Sequence, residues 1–344
     1  MSRKIVTFGE IMLRLSTPGF SRLVQAQQLD VTFGGGEANV AVSLAQYGMN
    51  SYFISRLPAH EIGQAALNHL RRFGVHTDYI VRAGERVGIY FLETGASQRA
   101  SKVIYDRSHS AISDIEPGEV DWAEVFDQAA WFHWTGITPA LGDRPRAELV
   151  AACKAAKAAG VTVSCDLNFR KKLWSAKEAQ ATMRPLMAYV DICIANEEDA
   201  EKSLGLKAGA SDIESAELDE ASYFQMARNL KQQYDFQAVA ITLRESFSAS
   251  RNGWSAILLD DKNCSKPYRS KRYDIQIVDR VGGGDAFAGG LIFGLLSKTD
   301  TREALEFAVA ASCLKQTIPG DFNLVTAEEV IKLAKGSGSG RVER

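Results

Sequence analysis

Short apolar runs alternate along this chain with amphipathic stretches that close on glycine, and that rhythm restricts it to one broad architecture. KIVTF is a strand-like run ending at Gly9-Glu10. After Gly34-Gly35-Gly36 comes EANVAVSLAQYG, where Ala38, Ala41, Val42 and Ala45 recur at helical spacing and Gly48 stops the helix. SYFISRL reads as the next strand and EIGQAALNHLRRFG as the next helix. The pattern continues through WFHWTGI, RAELVAACKAAKAAG and VTVSCDL, a helix opened by the capping box Ser175/Glu178, and the strands DICIAN and AVAITL. Short strands separated by longer helices predict an α/β chain with a parallel sheet covered on both faces.

Two stretches break the rhythm. Residues 12–33 and 87–108 carry LRLST, VGIYFLET and SKVIYDR with no helix between strands, and their polar/apolar alternation suits a sheet with one solvated face. They are expected to form a small β lid, with ordinary surface hairpins as the alternative. The core is then 1–11, 34–86 and 109–335, and the Gly/Ser-rich 336–344 is a flexible tail.

Composition excludes several classes. A length of 344 residues fits one large α/β domain with its lid, and 40 Lys+Arg against 42 Asp+Glu leave a net charge of −2, without the basic excess of a nucleic-acid binder. No apolar run approaches the roughly 18 residues of a membrane span, and MSRKIVTFGE lacks the apolar stretch of a signal peptide. The five cysteines form no C-x-x-C pair, and Cys165 and Cys193 sit in apolar runs as core residues, so a reduced, cytoplasmic setting is expected.

The chemistry concentrates in Asp279-Arg280-Val281-Gly282-Gly283-Gly284-Asp285, which runs straight into AFAGGLIFGLL. Three glycines before an apolar helix leave a bare backbone that an anion can approach, and the first N–H groups of the helix have no internal partner. Gly282, Gly283 and Gly284 are therefore expected to form an anion hole, most simply for phosphate. A carboxylate at its edge would repel that phosphate, so Asp285 is expected to take a proton from an attacking hydroxyl while the amides hold the transferring phosphoryl group. The loose transition state of phosphoryl transfer releases that proton late, and a weak base suffices. The helix N-terminus favours the ionised carboxylate. A helix N-cap after a glycine turn fits the same residues.

GGGD leading into AFAGG resembles the signature D-T-x-G-A-G-D of the ribokinase/PfkB family of sugar kinases. Gly34-Gly35-Gly36-Glu37-Ala38-Asn39-Val40-Ala41 resembles the family's amino-terminal signature, and Asn196-Glu197-Glu198-Asp199 its N-x-x-E. All three stand in the family's order, so the resemblance spans residues 3–335. It implies a ribokinase-like three-layer α/β/α fold with a mostly parallel central sheet and a β-sheet lid. It also implies ATP and Mg²⁺ as cofactors, leaves a monovalent cation open, and makes Asp285 the general base. Position by position, it puts Gly34, Gly35, Asn39, Tyr90, Tyr105, Arg107 and Arg170 on the sugar. Asn196, Thr242, Arg244, Gly282 and Gly284 fall on the nucleotide side, and Asp199 at magnesium through a water. The chain departs from the family at Arg280 for threonine, Gly283 for alanine and Asp199 for glutamate. Arg244-Glu245 stand in place of L-G-x-x-G, and Arg14 where neutral-sugar kinases carry an aspartate for sugar hydroxyls.

Arg107 in IYDRSHSA and Arg170 in CDLNFRKKLW stand at the ends of predicted strands, where α/β folds place ligands. Arginine's fork matches a carboxylate, and a neutral sugar needs no converging arginines. GEIMLRLSTPG, YDRSHSA, DLNFRKKLW and IPGDFNL are most similar to the family's 2-keto-3-deoxygluconate kinases, which implies phosphorylation of that acid's terminal hydroxyl to the 6-phosphate. A kinase for a neutral sugar such as fructose or ribose, or a catalytically idle sugar-acid sensor, are the other readings. The expected partners are the sugar acid and ATP, not nucleic acid or membrane, in a homo-oligomer formed through the lid. Plainer roles stay open: surface ion pairs for Arg107 and Arg170, and strand packing for Tyr90 and Tyr105. His109 and His133 are expected to be structural, KAAKAAG a solvated helix face, and the acidic 212–220 segment a surface loop.

Overall fold

A computed structural model describes residues 3–206, 220–262, 267–297 and 300–336. Among these residues nine strands form the main sheet. Its order is Tyr268–Arg269, Arg251–Asp260, Ala238–Ser248, Ile192–Ala195, Thr162–Asp166, Ala129–Thr135, Lys4–Phe8 and Asn50–Ile54, with Tyr273–Gln276 also paired to Arg251–Asp260. Every pair from Asn50–Ile54 through to Ala238–Ser248 is parallel, and the far edge is antiparallel.

Side chains alternate across a strand, so successive residues enter opposite cores. Ile5, Ile192 and Ile194 join Val40, Leu44, Phe287, Leu291 and Leu305 on one face. Val6, Cys193 and Ala195 join Leu149, Met183 and Met226 on the other. Burial on both faces explains why Ile192–Ala195 reads as an unbroken apolar run. Cys153, Cys165 and Cys193 are buried free thiols. Cys264, the acidic segment before Glu220 and the tail beyond Gly336 lie outside the described residues.

Two expected strands differ. SYFISRL divides: Asn50–Ile54 joins the main sheet, while Arg56–Leu57 pairs with Val81–Arg82 in a separate ribbon. AVAITL is only the buried half of Ala238–Ser248, whose polar second half continues as one arm of a hairpin with Arg251–Asp260. Half-exposed polar residues there obscure the apolar signal that marks a strand.

A second sheet of four strands has the order Asp30–Gly34, Met12–Ser16, Ile89–Glu93, Lys102–Asp106. Met12, Tyr90 and Leu92 on its inner side form a small apolar cluster that includes Val281 of the glycine loop. Lys102–Asp106 is mostly exposed. No described helix is long and apolar enough to cross a membrane.

Helix Gly283–Ser297 carries the glycine loop and lies in the middle of the helical layer against Gly36–Gln46 and Thr301–Lys315. Its glycines set that closeness. A Cβ at Gly290 would lie 2.9 Å from the Ala308 Cα, and one at Gly289 2.7 Å from the Ser43 Cβ. Gly290→Val is therefore expected to lower stability by about 1–3 kcal/mol through overpacking, despite the better helix propensity of valine. Urea unfolding measures this, and an unchanged midpoint would contradict the close packing.

Candidate active site

A cleft of about 690 Å³ opens at the carboxyl ends of the parallel strands. Asp166 and Ala195, the last residues of their strands, form its floor, and the four-stranded sheet contributes Met12, Tyr90, Val103 and Tyr105. The starts of helices Gly36–Gln46 and Gly283–Ser297 also reach it. Open α/β sheets place ligands at this end of their strands because strand and helix termini converge there.

The glycine loop is shaped by its anchors. Gly282 has φ 83°, and a Cβ there would lie 2.1 Å from the Asp321 carbonyl oxygen, so glycine is required. A Cβ at Gly284 would meet nothing within 4 Å, which leaves its backbone open to the cleft. Among the described residues the N–H groups of Gly284 and Asp285 have no acceptor, whereas Gly283 donates to the Arg280 carbonyl and Ala286 to that of Gly282. Two free amides at a helix start make an anion site.

Behind the loop, the Asp279 carboxylate accepts from the N–H groups of Val281 (3.0 Å) and Gly320 (3.1 Å) and from Arg14 (2.5 Å). Arg14 also donates to Asp321 at 2.6 Å, and the Tyr90 hydroxyl donates to the same carboxylate at 2.6 Å. The buried Lys315 ammonium donates to the Asp279 carbonyl at 3.1 Å. Burial alone would lower the Arg14 pKa, but Asp321 and Asp279 raise it, so the guanidinium stays charged. Burial, then the Asp321 charge, pushes the Tyr90 hydroxyl well up.

Asp285 sits at the edge of the free amides. Its Oδ2 accepts from Asn39 Nδ2 at 2.6 Å, and Asn39 Oδ1 accepts from the Gly35 N–H at 3.2 Å. The two glycine runs are thus joined through one amide side chain. Burial pushes Asp285 up to about 6, while Asn39 and the Arg170 charge hold it down. Asp199 also rises to about 6 through burial, with Arg170 opposing, and its Oδ1 accepts from the Phe169 N–H at 2.9 Å. Asp166 rises well above the usual range through burial and the charges of Asp199 and Asp285. Arg170 is exposed and acts on all three acids, and its own hydrogen bond is a long one to the Phe169 carbonyl.

Arg107 is differently placed. Its guanidinium pairs with Glu10, which also accepts from Ser110 Oγ at 2.6 Å, and lies over the Tyr105 ring. Its buried Nε has no partner. Glu37, fully enclosed behind the first glycine run, accepts from the Thr135 N–H and from the hydroxyls of Thr135 and Thr138, and burial raises it to about 7.

The structure brings Gly35, Asn39, Tyr90, Tyr105, Arg107, Arg170, Asn196, Asp199, Thr242, Arg244 and Gly282 to Asp285 into this one cleft. Gly34 stands just behind it, where a Cβ would lie 2.1 Å from Asp321 Oδ2. Asn196 caps helix Glu197–Leu204 by accepting from the Asp199 N–H. His133 is buried, shares a 2.8 Å hydrogen bond with Ser164, and is lowered to about 3 by burial, a structural role. Asp166, Asn168 and Asp321 also line the cleft and were not singled out from the sequence. DLNFR and IPGDFNL contained them, but no residue spacing distinguishes an acid that faces a cleft from one that faces water.

The sequence model for the pfkB family of carbohydrate kinases matches residues 2–325. A 2-dehydro-3-deoxygalactonokinase from Haloferax volcanii is 32% identical over 340 residues, covering 99% of each chain. A 2-dehydro-3-deoxygluconokinase from Bacillus subtilis is 27% identical over 332 residues, 96% of this chain and 94% of that one. The crystal structure of a 2-dehydro-3-deoxygluconokinase from Thermotoga maritima superposes with a TM-score of 0.92 at 53% identity, covering 98% of this chain and 99% of that one.

Arg14→Met would leave two buried carboxylates without their cation. A loss of about 3–5 kcal/mol is expected, read as a shift of the urea unfolding midpoint. A variant as stable as the parent chain would show that Asp279 and Asp321 do not depend on Arg14.

Proposed function

The chain belongs to the pfkB family of carbohydrate kinases, and on that premise we propose that it phosphorylates the terminal hydroxyl of 2-keto-3-deoxygluconate with ATP as donor. The observation that carries this reading is the position of Asp285, beside two free helix-start amides and in one cleft with Arg107 and Arg170. Base, anion hole and carboxylate-binding groups then serve one acceptor.

In this reading the transferring phosphoryl group rests at the Gly282–Gly284 loop on the free amides of Gly284 and Asp285. Asn39 fixes Asp285 Oδ2, which leaves Oδ1 to take the proton of the attacking hydroxyl. As the new phosphate ester bond forms, the bond from the transferring phosphorus to the bridging oxygen breaks, with ADP leaving. Arg170 and the Nε of Arg107 receive the acid's carboxylate, with Gly34, Gly35, Tyr90 and Tyr105 around the sugar. Arg107 alone is already compensated by Glu10, so Arg170 supplies the uncommitted charge. The sheet over the cleft acts as a lid that excludes water and limits hydrolysis of the donor.

Asn196, Thr242 and Arg244 lie on the nucleotide side. Among the described residues no cluster of three or more His, Cys, Asp or Glu forms a cage for a metal. That suits magnesium, which takes one or two carboxylates, waters and phosphate oxygens rather than an all-protein cage. Bound there, it would neutralise phosphate charge, with Asp199 facing it through a water.

Asp285→Asn is expected to lower kcat by about 10² or more while nucleotide binding stays near the parent value. In the parent chain kcat/KM should fall about tenfold per pH unit below about 6, as Asp285 gains its proton, and stay level above. Near-normal turnover of the variant would remove Asp285 from the base role.

Of the three similar proteins, one is named for the galactonate-derived acid and two for the gluconate-derived one, which supports a carboxylate-bearing acceptor without choosing the epimer. A coupled assay across 2-keto-3-deoxygluconate, its galactonate epimer, fructose and ribose measures the preference. At least one sugar acid should exceed both neutral sugars in kcat/KM by about 10² or more, the discrimination expected when buried polar groups would lose their partner. Higher efficiency on fructose would overturn the reading.

A further inference from the structure

Arg280 stands in the glycine loop where the family signature has threonine, and nothing derived so far uses it. Its Nη2 donates to the carbonyls of Ser248 (3.3 Å) and Ala249 (3.2 Å), at the turn of the hairpin between Ala238–Ser248 and Arg251–Asp260. Its buried Nε has no hydrogen-bond partner among the described residues. Part of the fork is therefore spent on holding the side chain in place, and part is unmet.

Arg244 lines the same cleft from the hairpin arm. Neither arginine forms an ion pair among the described residues, although the Arg244 charge reaches Asp199. Arg280 is tied to the turn of the same hairpin that carries Arg244, and burial, then the Arg244 charge, lowers its pKa. Two like charges in one cleft, neither in an ion pair among the described residues, favour the arrival of an anion.

The position of the pair indicates which anion. Arg280 is two residues before Gly282, and both arginines lie in the cleft with the free amides of Gly284 and Asp285. The sugar acid's carboxylate is met elsewhere, by Arg107 and Arg170. We propose that Arg244 and Arg280 form a clamp for the phosphates of the donor nucleotide that lie behind the transferring one. The amides hold one phosphoryl group, and the Arg244 guanidinium and the N–H groups of Arg280 not donated to the hairpin take the oxygens of the next as charge-assisted hydrogen bonds. This assignment rests on reading the cleft as a nucleotide-dependent kinase site.

Calorimetric titration of magnesium-AMPPNP, and separately of tripolyphosphate, into the full chain without any sugar tests the clamp. Arg280→Gln and Arg244→Gln are each expected to weaken both ligands by about tenfold or more, the usual effect of losing a charge-assisted hydrogen bond. Adenosine, measured by competition, should bind unchanged, and Arg280→Lys should recover part of the loss. AMPPNP affinity equal to the parent's in Arg280→Gln overturns the proposal. So does an equal loss of adenosine affinity, which would mark Arg280 as a structural tie of the hairpin. Because no sugar is present, failure to phosphorylate a sugar acid would overturn the proposed substrate and leave this result standing.

Discussion

Arg14 lies between Asp279 and Asp321, out of water, and the geometry of the cleft depends on that triplet. Asp279 binds the backbone of the glycine loop at Val281 and of the returning loop at Gly320, so its carboxylate fixes two segments at once. Two acids so close would repel and would be expensive to bury as ions. The guanidinium spans both with separate nitrogens, and the Tyr90 hydroxyl adds a hydrogen bond to the second. Arg14 comes from the four-stranded sheet and its acceptors from the core, so the same contact seats that sheet over the cleft. The small apolar cluster of Met12, Tyr90, Leu92 and Val281 closes the joint.

Much of this was legible in the residues. The helical spacing in EANVAVSLAQYG, the buried runs VTVSCDL and DICIAN, and the Ser175/Glu178 capping box all have local causes, and each took the form the residues dictate. The glycine loop was legible for a similar reason, since only a bare backbone serves there. Other features depend on partners distant in sequence. Arg14 reads as a departure from a family pattern, and only the fold shows that residues 265 and 307 positions away receive it. Arg107 and Glu10 meet across 97 positions. The apolar run AVAITL marks only the buried half of its strand, because residues 244–248 are half-buried to exposed and mostly polar.

The near-neutral composition also acquires a meaning. With 40 basic and 42 acidic residues the chain has no bulk field to gather anionic ligands. Its charges are instead divided within one cleft. Asp166 and Asp199 are buried there and Asp285 half-buried, and the cations around them differ in commitment. Arg14 is committed to two carboxylates, Arg107 to one, and Arg170 is held by a single long hydrogen bond. Uncommitted charge of this kind attracts an anion at short range and does not require a large net charge.

Buried acids leave a further mark on the molecule, in how its folding responds to acidity. In the folded chain Asp199 and Asp285 titrate at about 6 and Glu37 at about 7, all raised by burial. In an unfolded chain the same groups would release their protons near pH 4. Between those limits the native state holds protons that the unfolded state has lost, so these three residues withdraw stability as the pH rises through 4 to 7. The fold gains from their protonation, whereas the base role proposed for Asp285 needs it ionised. Enclosure therefore makes these three residues favour the fold most at a pH below that at which Asp285 is ionised. Enclosure of His133 in the core, which holds it down to about 3, works in the opposite direction.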